Sequence, residues 1–121
     1  MIKLIAIVDA HWGISKNEQI PWSFSEDRRF FHKKTINSVV VMGKNTFFAL
    51  GSPLKGRENC IISRTMESVL GVCIFRSFGE IISKCNDFWI IGGAELYNYA
   101  LKNNMVHYAL ITQVNEDYKA D

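Results

Sequence analysis

The chain has 121 residues, which is one domain on the usual scale of roughly 100–200 residues per domain. It is 48% apolar, 21% charged and 12% aromatic, a composition that excludes a disordered or low-complexity protein. Fourteen Lys and Arg against twelve Asp and Glu leave +2, scattered in ones and twos, so neither nucleic acid nor a membrane surface is an expected partner.

Residues 4–8 form an uncharged apolar run after Lys3, and 2–8 read as a strand buried on both faces because alternation is missing. The run is far too short to span a membrane, and Asp9 follows it where a secretory leader would place small residues, so a cytoplasmic protein is expected. Residues 9–22 read as a loop broken by Gly13 and Pro21. Ser23 or Ser25 then caps a helix running to about Thr35, and Ser23-x-x-Glu26 has capping-box spacing. Residues 39–42 read as a β-branched strand ending at Gly43, 46–50 as a short helix and 53–56 as a turn. Strands at 59–63 and 72–75, a helix at 78–85, a strand at 88–91, a helix at 94–101 and a strand at 106–114 complete the chain. This alternation predicts an α/β fold with a largely parallel sheet, whose ligands sit at the carboxyl ends of the strands.

Those strand ends gather the unusual residues. Asp27 falls in the first turn of its helix, where the dipole stabilises a carboxylate by about 0.3–1 kcal/mol. Phe31 is one turn later on the same face. On spacing alone Asp27 is either a solvated helix-start carboxylate or a polar anchor beside an aromatic wall. Gly43-Lys44-Asn45-Thr46 and Gly92-Gly93 each lead from a strand into a helix N-terminus, a ready anion site. Neither is a Walker loop or a Gly-x-Gly-x-x-Gly fingerprint, yet two such turns in one small domain point to a dinucleotide. Cys60, Cys73 and Cys85 form no Cys-x-x-Cys pair and read as buried, inert thiols. His11, His32 and His107 are too dispersed for a metal site, so no metal is expected.

Taken in order, the motifs resemble the dihydrofolate reductase family. Ile14, Asn17, Ile20-Pro21-Trp22, Asp27, Phe31 and Thr35 resemble its opening third. Val41-Met42-Gly43-Lys44-Asn45-Thr46, Leu50-Gly51, Pro53-Leu54 and Gly56-Arg57-Glu58-Asn59 resemble its middle. Ile90-Ile91-Gly92-Gly93-Ala94-Glu95-Leu96-Tyr97 resembles its glycine-pair turn, and Thr112 falls where the family has a threonine near the pterin. The resemblance spans the whole chain as a single domain, residues 1–121. It implies a mixed, mainly parallel sheet flanked by helices, and NADPH-dependent reduction of dihydrofolate in one-carbon metabolism.

The resemblance also implies roles. Asp27 and Trp22 would serve the catalytic step. Ala6, Phe31, Leu50, Leu54, Arg57, Ile91 and Thr112 would hold the folate, with Arg57 on its glutamate carboxylate. Ile14, Ile20, Gly43, Lys44, Asn45, Thr46, Ser63, Arg64, Gly92, Gly93 and Tyr97 would hold NADPH, with a cis peptide joining Gly92 to Gly93. Arg76 would be exposed or add to the adenosine side. Antifolate-like small molecules would compete for the folate pocket. Ser15 departs from the family, which has glycine after Gly13-Ile14. The chain stops at Asp121, where the resemblance implies that the last two strands of the fold are absent. A monomer is expected at full length, with self-association through the strand at 106–114 in this shorter form. A non-catalytic folate- or dinucleotide-binding fragment is the alternative reading. A related pterin or pyrimidine-deaminone reductase would lack the Asp27, Phe31 and Arg57 set.

Overall fold

A computed structural model describes the backbone of residues 1–8 and 25–113, and their side chains except those of 7, 8, 25–28, 112 and 113. The elements are β1 (Ile2–Val8), α1 (Ser25–Thr35), β2 (Val39–Gly43), α2 (Lys44–Leu50), β3 (Glu58–Ile62), β4 (Val72–Phe75), α3 (Phe78–Ile82), β5 (Phe88–Gly92), α4 (Ala94–Lys102) and β6 (Tyr108–Gln113). They build one six-stranded sheet in the order β4-β3-β2-β5-β1-β6. Every pairing among the described residues is parallel, which sharpens the expected mainly parallel sheet.

Central strands of such a sheet are covered on both faces, and alternate residues serve opposite cores. On β2, Val41 enters one cluster with Ile2, Leu4, Ile90, Phe78 and Ile81, under α3 and α4. Val40 and Met42 enter the other, with Ile5, Phe31, Phe47, Ile61 and Ile91, under α1 and α2. The near-continuous apolar runs follow from this double burial.

Element ends differ from the sequence expectations in small ways. Helix α2 begins at Lys44 rather than 46, because the chain turns helical directly after Gly43. It ends at Gly51, whose φ of 84° places it in the left-handed region while its N–H donates to the Phe47 carbonyl. Helix α3 stops at Ile82, short of 85, and the amides of Lys84 and Cys85 both close onto the Ile81 carbonyl. Strand β6 starts at Tyr108 rather than 106 and forms one edge of the described sheet, with Tyr108 and Ile111 half-exposed. The cysteines are a correction. Cys60 is buried as expected, but Cys73 is exposed on the opposite edge strand, β4, and Cys85 is half-buried. No described helix is long and apolar enough to cross a membrane.

Candidate active site

The carboxyl ends of β2 and β5 are neighbours, and each feeds a helix through glycine. Gly43 caps α2 and Gly93 caps α4, and neither helix start receives a side-chain cap. The first backbone N–H groups of a helix have no partner within it, so both turns present donors at this rim. Gly92 and Gly93 are joined by the cis peptide that the resemblance implied. Gly92 has φ 148°, and a Cβ there would lie 2.9 Å from Thr46 Oγ1. A Cβ on Gly93 would come within 3.3 Å of the same oxygen. The Gly92-Gly93 turn therefore packs its backbone against the buried Thr46 of the other turn, and position 92 admits only glycine without strain. Lys44 and Asn45 stand exposed beside it.

A second construction lies on the α1/α2 face. Phe31 is buried in that cluster, Leu50 and Leu54 pack against it, and Ile91 contributes from β5. One turn beyond Phe31, Thr35 is fully buried, and its hydroxyl donates to the Phe31 carbonyl at 2.8 Å. Thr35 Oγ1 in turn accepts from Arg57 Nη1 at 3.2 Å, while Arg57 Nε donates to the Lys55 carbonyl at 2.9 Å. Two of its donors being held, the guanidinium is fixed in orientation, and its partial burial lowers its pKa from the ordinary value. It remains a cation throughout the accessible pH range.

Asn59 builds the loop that carries these groups. It is 3% exposed, and its amide accepts from the Leu54 N–H and donates to the carbonyls of Leu54 and Arg57, each at 2.9 Å. Sequence reading gave Asn59 and Thr35 no role of their own. The available signal was a polar residue at an interior position of an otherwise apolar strand, and a threonine rather than a lysine at the end of a basic helix turn.

The remaining expected residues are dispersed around these two centres. Ser63 follows β3, and its hydroxyl accepts from the amides of Thr65 and Met66 at 3.3 and 3.0 Å. Arg64 is exposed on that turn. Arg76 is exposed yet structural: its Nη1 donates to the carbonyls of Ser63 and Met66 at 2.9 and 2.8 Å. Tyr97 is buried under α4 and donates its hydroxyl to the Ile5 carbonyl at 2.8 Å. Burial pushes its phenol pKa up. Ala6 is buried with the α3/α4 cluster, so its side chain faces away from Phe31. Asp27 lies on α1 one turn before Phe31, and Thr112 lies on β6 paired with Ile7, but the side chains of both fall outside the described residues. Ile14, Ser15, Ile20, Trp22 and the Ser23 cap lie wholly outside them.

Comparison with known proteins bears directly on this arrangement. A family model described as dihydrofolate reductase matches residues 1–121. The chain belongs to the dihydrofolate reductase family. That family is one of enzymes. A dihydrofolate reductase of Ureaplasma parvum serovar 3 is 38% identical over 123 residues, covering 98% of this chain and 77% of that protein. A protein named segregation and condensation protein A, from Mycoplasmoides gallisepticum, is 32% identical over all of this chain, which spans only 21% of that longer relative. A solved structure of Enterococcus faecalis dihydrofolate reductase, complexed with NADP(H) and RAB-propyl, superposes with a TM-score of 0.87 at 26% identity. It covers 100% of this chain, which spans 74% of that one.

Proposed function

We propose that the chain reduces 7,8-dihydrofolate to tetrahydrofolate with NADPH. One observation carries the reading. On a single sheet face of a member of this family, an apolar floor of Phe31, Leu50 and Leu54 lies beside an Arg57 fork aimed by Thr35. An apolar floor with few polar anchors suits an aromatic ligand body, and an oriented guanidinium suits a carboxylate tail through paired hydrogen bonds. Folate has both.

In this reading the Asp27 carboxylate accepts two donors side by side, the pterin 2-amino group and its neighbouring ring N–H. It orients the pterin and favours its protonated form, and the proton reaches N5 through water. Ile91 and Thr112 complete the pterin wall, with Ala6 turned to the opposite core, and Trp22 belongs to the loop that closes over the site. The glycine turn fits the cofactor, since only a residue without Cβ lets backbone pack this closely against Thr46. Gly43, Lys44, Asn45 and Thr46, with Gly92 and Gly93, hold the phosphates. Ser63 and Arg64 serve the 2′-phosphate, with Arg76 bracing their turn. Ile14, Ile20 and Tyr97 flank the nicotinamide. NADPH, when bound, supplies the hydride received at pterin C6.

The test is dihydrofolate-dependent loss of the reduced-nicotinamide absorption. Its absence with purified chain would overturn the reductase reading in favour of a non-catalytic folate- or dinucleotide-binding module. Arg57→Lys sharpens the assignment. Breaking a hydrogen-bonded charge pair costs on the order of 2–5 kcal/mol, and lysine keeps part of the attraction. Folate binding is expected to weaken while a pterin without the glutamyl tail binds as before. Equal losses for both would remove Arg57 from the site.

A further inference from the structure

Strands β3 and β4 pair in parallel, and their register sets Cys60 directly against Cys73. Glu58 is two residues before Cys60 on β3, so all three side chains project from the same face of the sheet. It is the face of the α3/α4 cluster, across the sheet from Phe31 and Leu54. The two sulfurs and a Glu58 carboxylate oxygen lie within 4.8 Å of one another. Cys60 is buried beneath them, whereas Glu58 and Cys73 are exposed on the margin.

We propose that Glu58, Cys60 and Cys73 form a binding site for one Zn²⁺ ion. Zinc takes sulfur at about 2.3 Å and carboxylate oxygen at about 2.0–2.2 Å in a tetrahedral shell, which sets ligand atoms about 3.5–4 Å apart. A spread of no more than 4.8 Å leaves at most a rotamer-scale adjustment to reach that spacing, and the two exposed side chains are the ones able to move. Two thiolates select a thiophilic cation over Mg²⁺ or Ca²⁺, which prefer oxygen shells. Binding replaces two S–H bonds with two S–Zn bonds and releases two protons to the buffer. Because β4 is an edge strand, the fourth position opens to solvent and takes water.

Cobalt substitution tests the site in the reduced, untagged chain. Co²⁺ is expected to bind one per chain with a thiolate-to-metal charge-transfer band in the near ultraviolet, and Zn²⁺ to displace it. Cys73→Ser keeps an exposed small side chain and so leaves the fold intact. It is expected to weaken Co²⁺ binding at least as much as the roughly 10–100-fold that losing an outer partner of a metal ligand costs. Glu58→Gln should also weaken it. Cys85→Ser should not, since Cys85 Sγ donates to the Asp87 carbonyl instead. Dihydrofolate reduction should be unchanged in Cys73→Ser, which separates this site from the proposed reaction. No charge-transfer band in excess Co²⁺, or a band that survives Cys73→Ser, would overturn the proposal. So would a reduced chain that ignores cobalt and oxidises in air to a Cys60–Cys73 disulfide.

Discussion

The two faces of the sheet are built from alternate residues of the same strands, yet they differ in what they leave open. Under α3 and α4, Tyr97 spends its hydroxyl on the Ile5 carbonyl and packs its ring in the core, and among the described residues a group of possible metal ligands gathers at the β3–β4 margin. Under α1 and α2, Phe31, Leu50 and Leu54 form an apolar floor edged by a hydrogen-bonded arginine. Parallel strands demand two cores. The lesson is that one of the two can carry a ligand site when a loop, here clamped by Asn59, brings a cation to its border.

Paired truncations of equal kind would break this comparison most strongly. Phe31→Ala on one face should cost about 3–5 kcal/mol of stability, and Ile81→Ala on the other about 2–5 kcal/mol, since both side chains are buried. Only Phe31→Ala should also raise the KM for dihydrofolate, with Phe31→Leu intermediate. Denaturant melts and steady-state kinetics on the folded variants check both halves. If Ile81→Ala raised KM as much, the distinction between the faces would be lost.

Gly92→Ala tests the junction where both faces end. A residue held at this φ with a side chain costs on the order of 1–3 kcal/mol, and the new Cβ would also press on Thr46. The variant should be less stable and should lose affinity for NADPH more than for dihydrofolate. Adding Thr46→Ala should restore the part of the stability lost to contact and leave the part lost to φ, without restoring NADPH affinity, since Thr46 is itself read as a phosphate contact. Full recovery in the double variant would show that the backbone conformation contributes nothing.

The sequence was informative where one residue type has one structural use. Gly43, Gly92 and Gly93 marked the strand-to-helix turns, and unbroken apolar runs marked parallel strands buried on both faces. Helix ends were harder to place, because α2 starts without a side-chain cap and α3 closes by a turn onto Ile81. Partnerships across strands left no trace in sequence spacing. The meeting of Cys60 with Cys73, of Tyr97 with Ile5 and of Arg57 with Thr35 depends on register and topology. Cys73 was expected to be buried because cysteine usually is; its place on an edge strand overrides that preference.

Tyr97→Phe has the smallest expected effect and isolates the hydrogen bond that ties α4 to the backbone of β1. Phenylalanine keeps the ring in the α3/α4 cluster and removes only the hydroxyl, leaving the Ile5 carbonyl without its 2.8 Å partner. Loss of one partner of a buried hydrogen bond costs about 1–3 kcal/mol, so the variant should be destabilised by that amount near neutral pH. The difference should shrink in alkali, and the sign follows from burial. A phenol whose pKa is raised in the folded state stays protonated there after the unfolded chain has begun to ionise near pH ~10. The unfolded state then binds fewer protons than the folded one, so wild-type stability falls as pH rises past that point. The phenylalanine variant has no such group at position 97. Denaturant midpoints measured between neutral pH and pH ~11 should therefore converge, with the wild type losing more on passing the ordinary tyrosine range. Parallel curves across that range would show that the Tyr97 hydroxyl is not held neutral by the core.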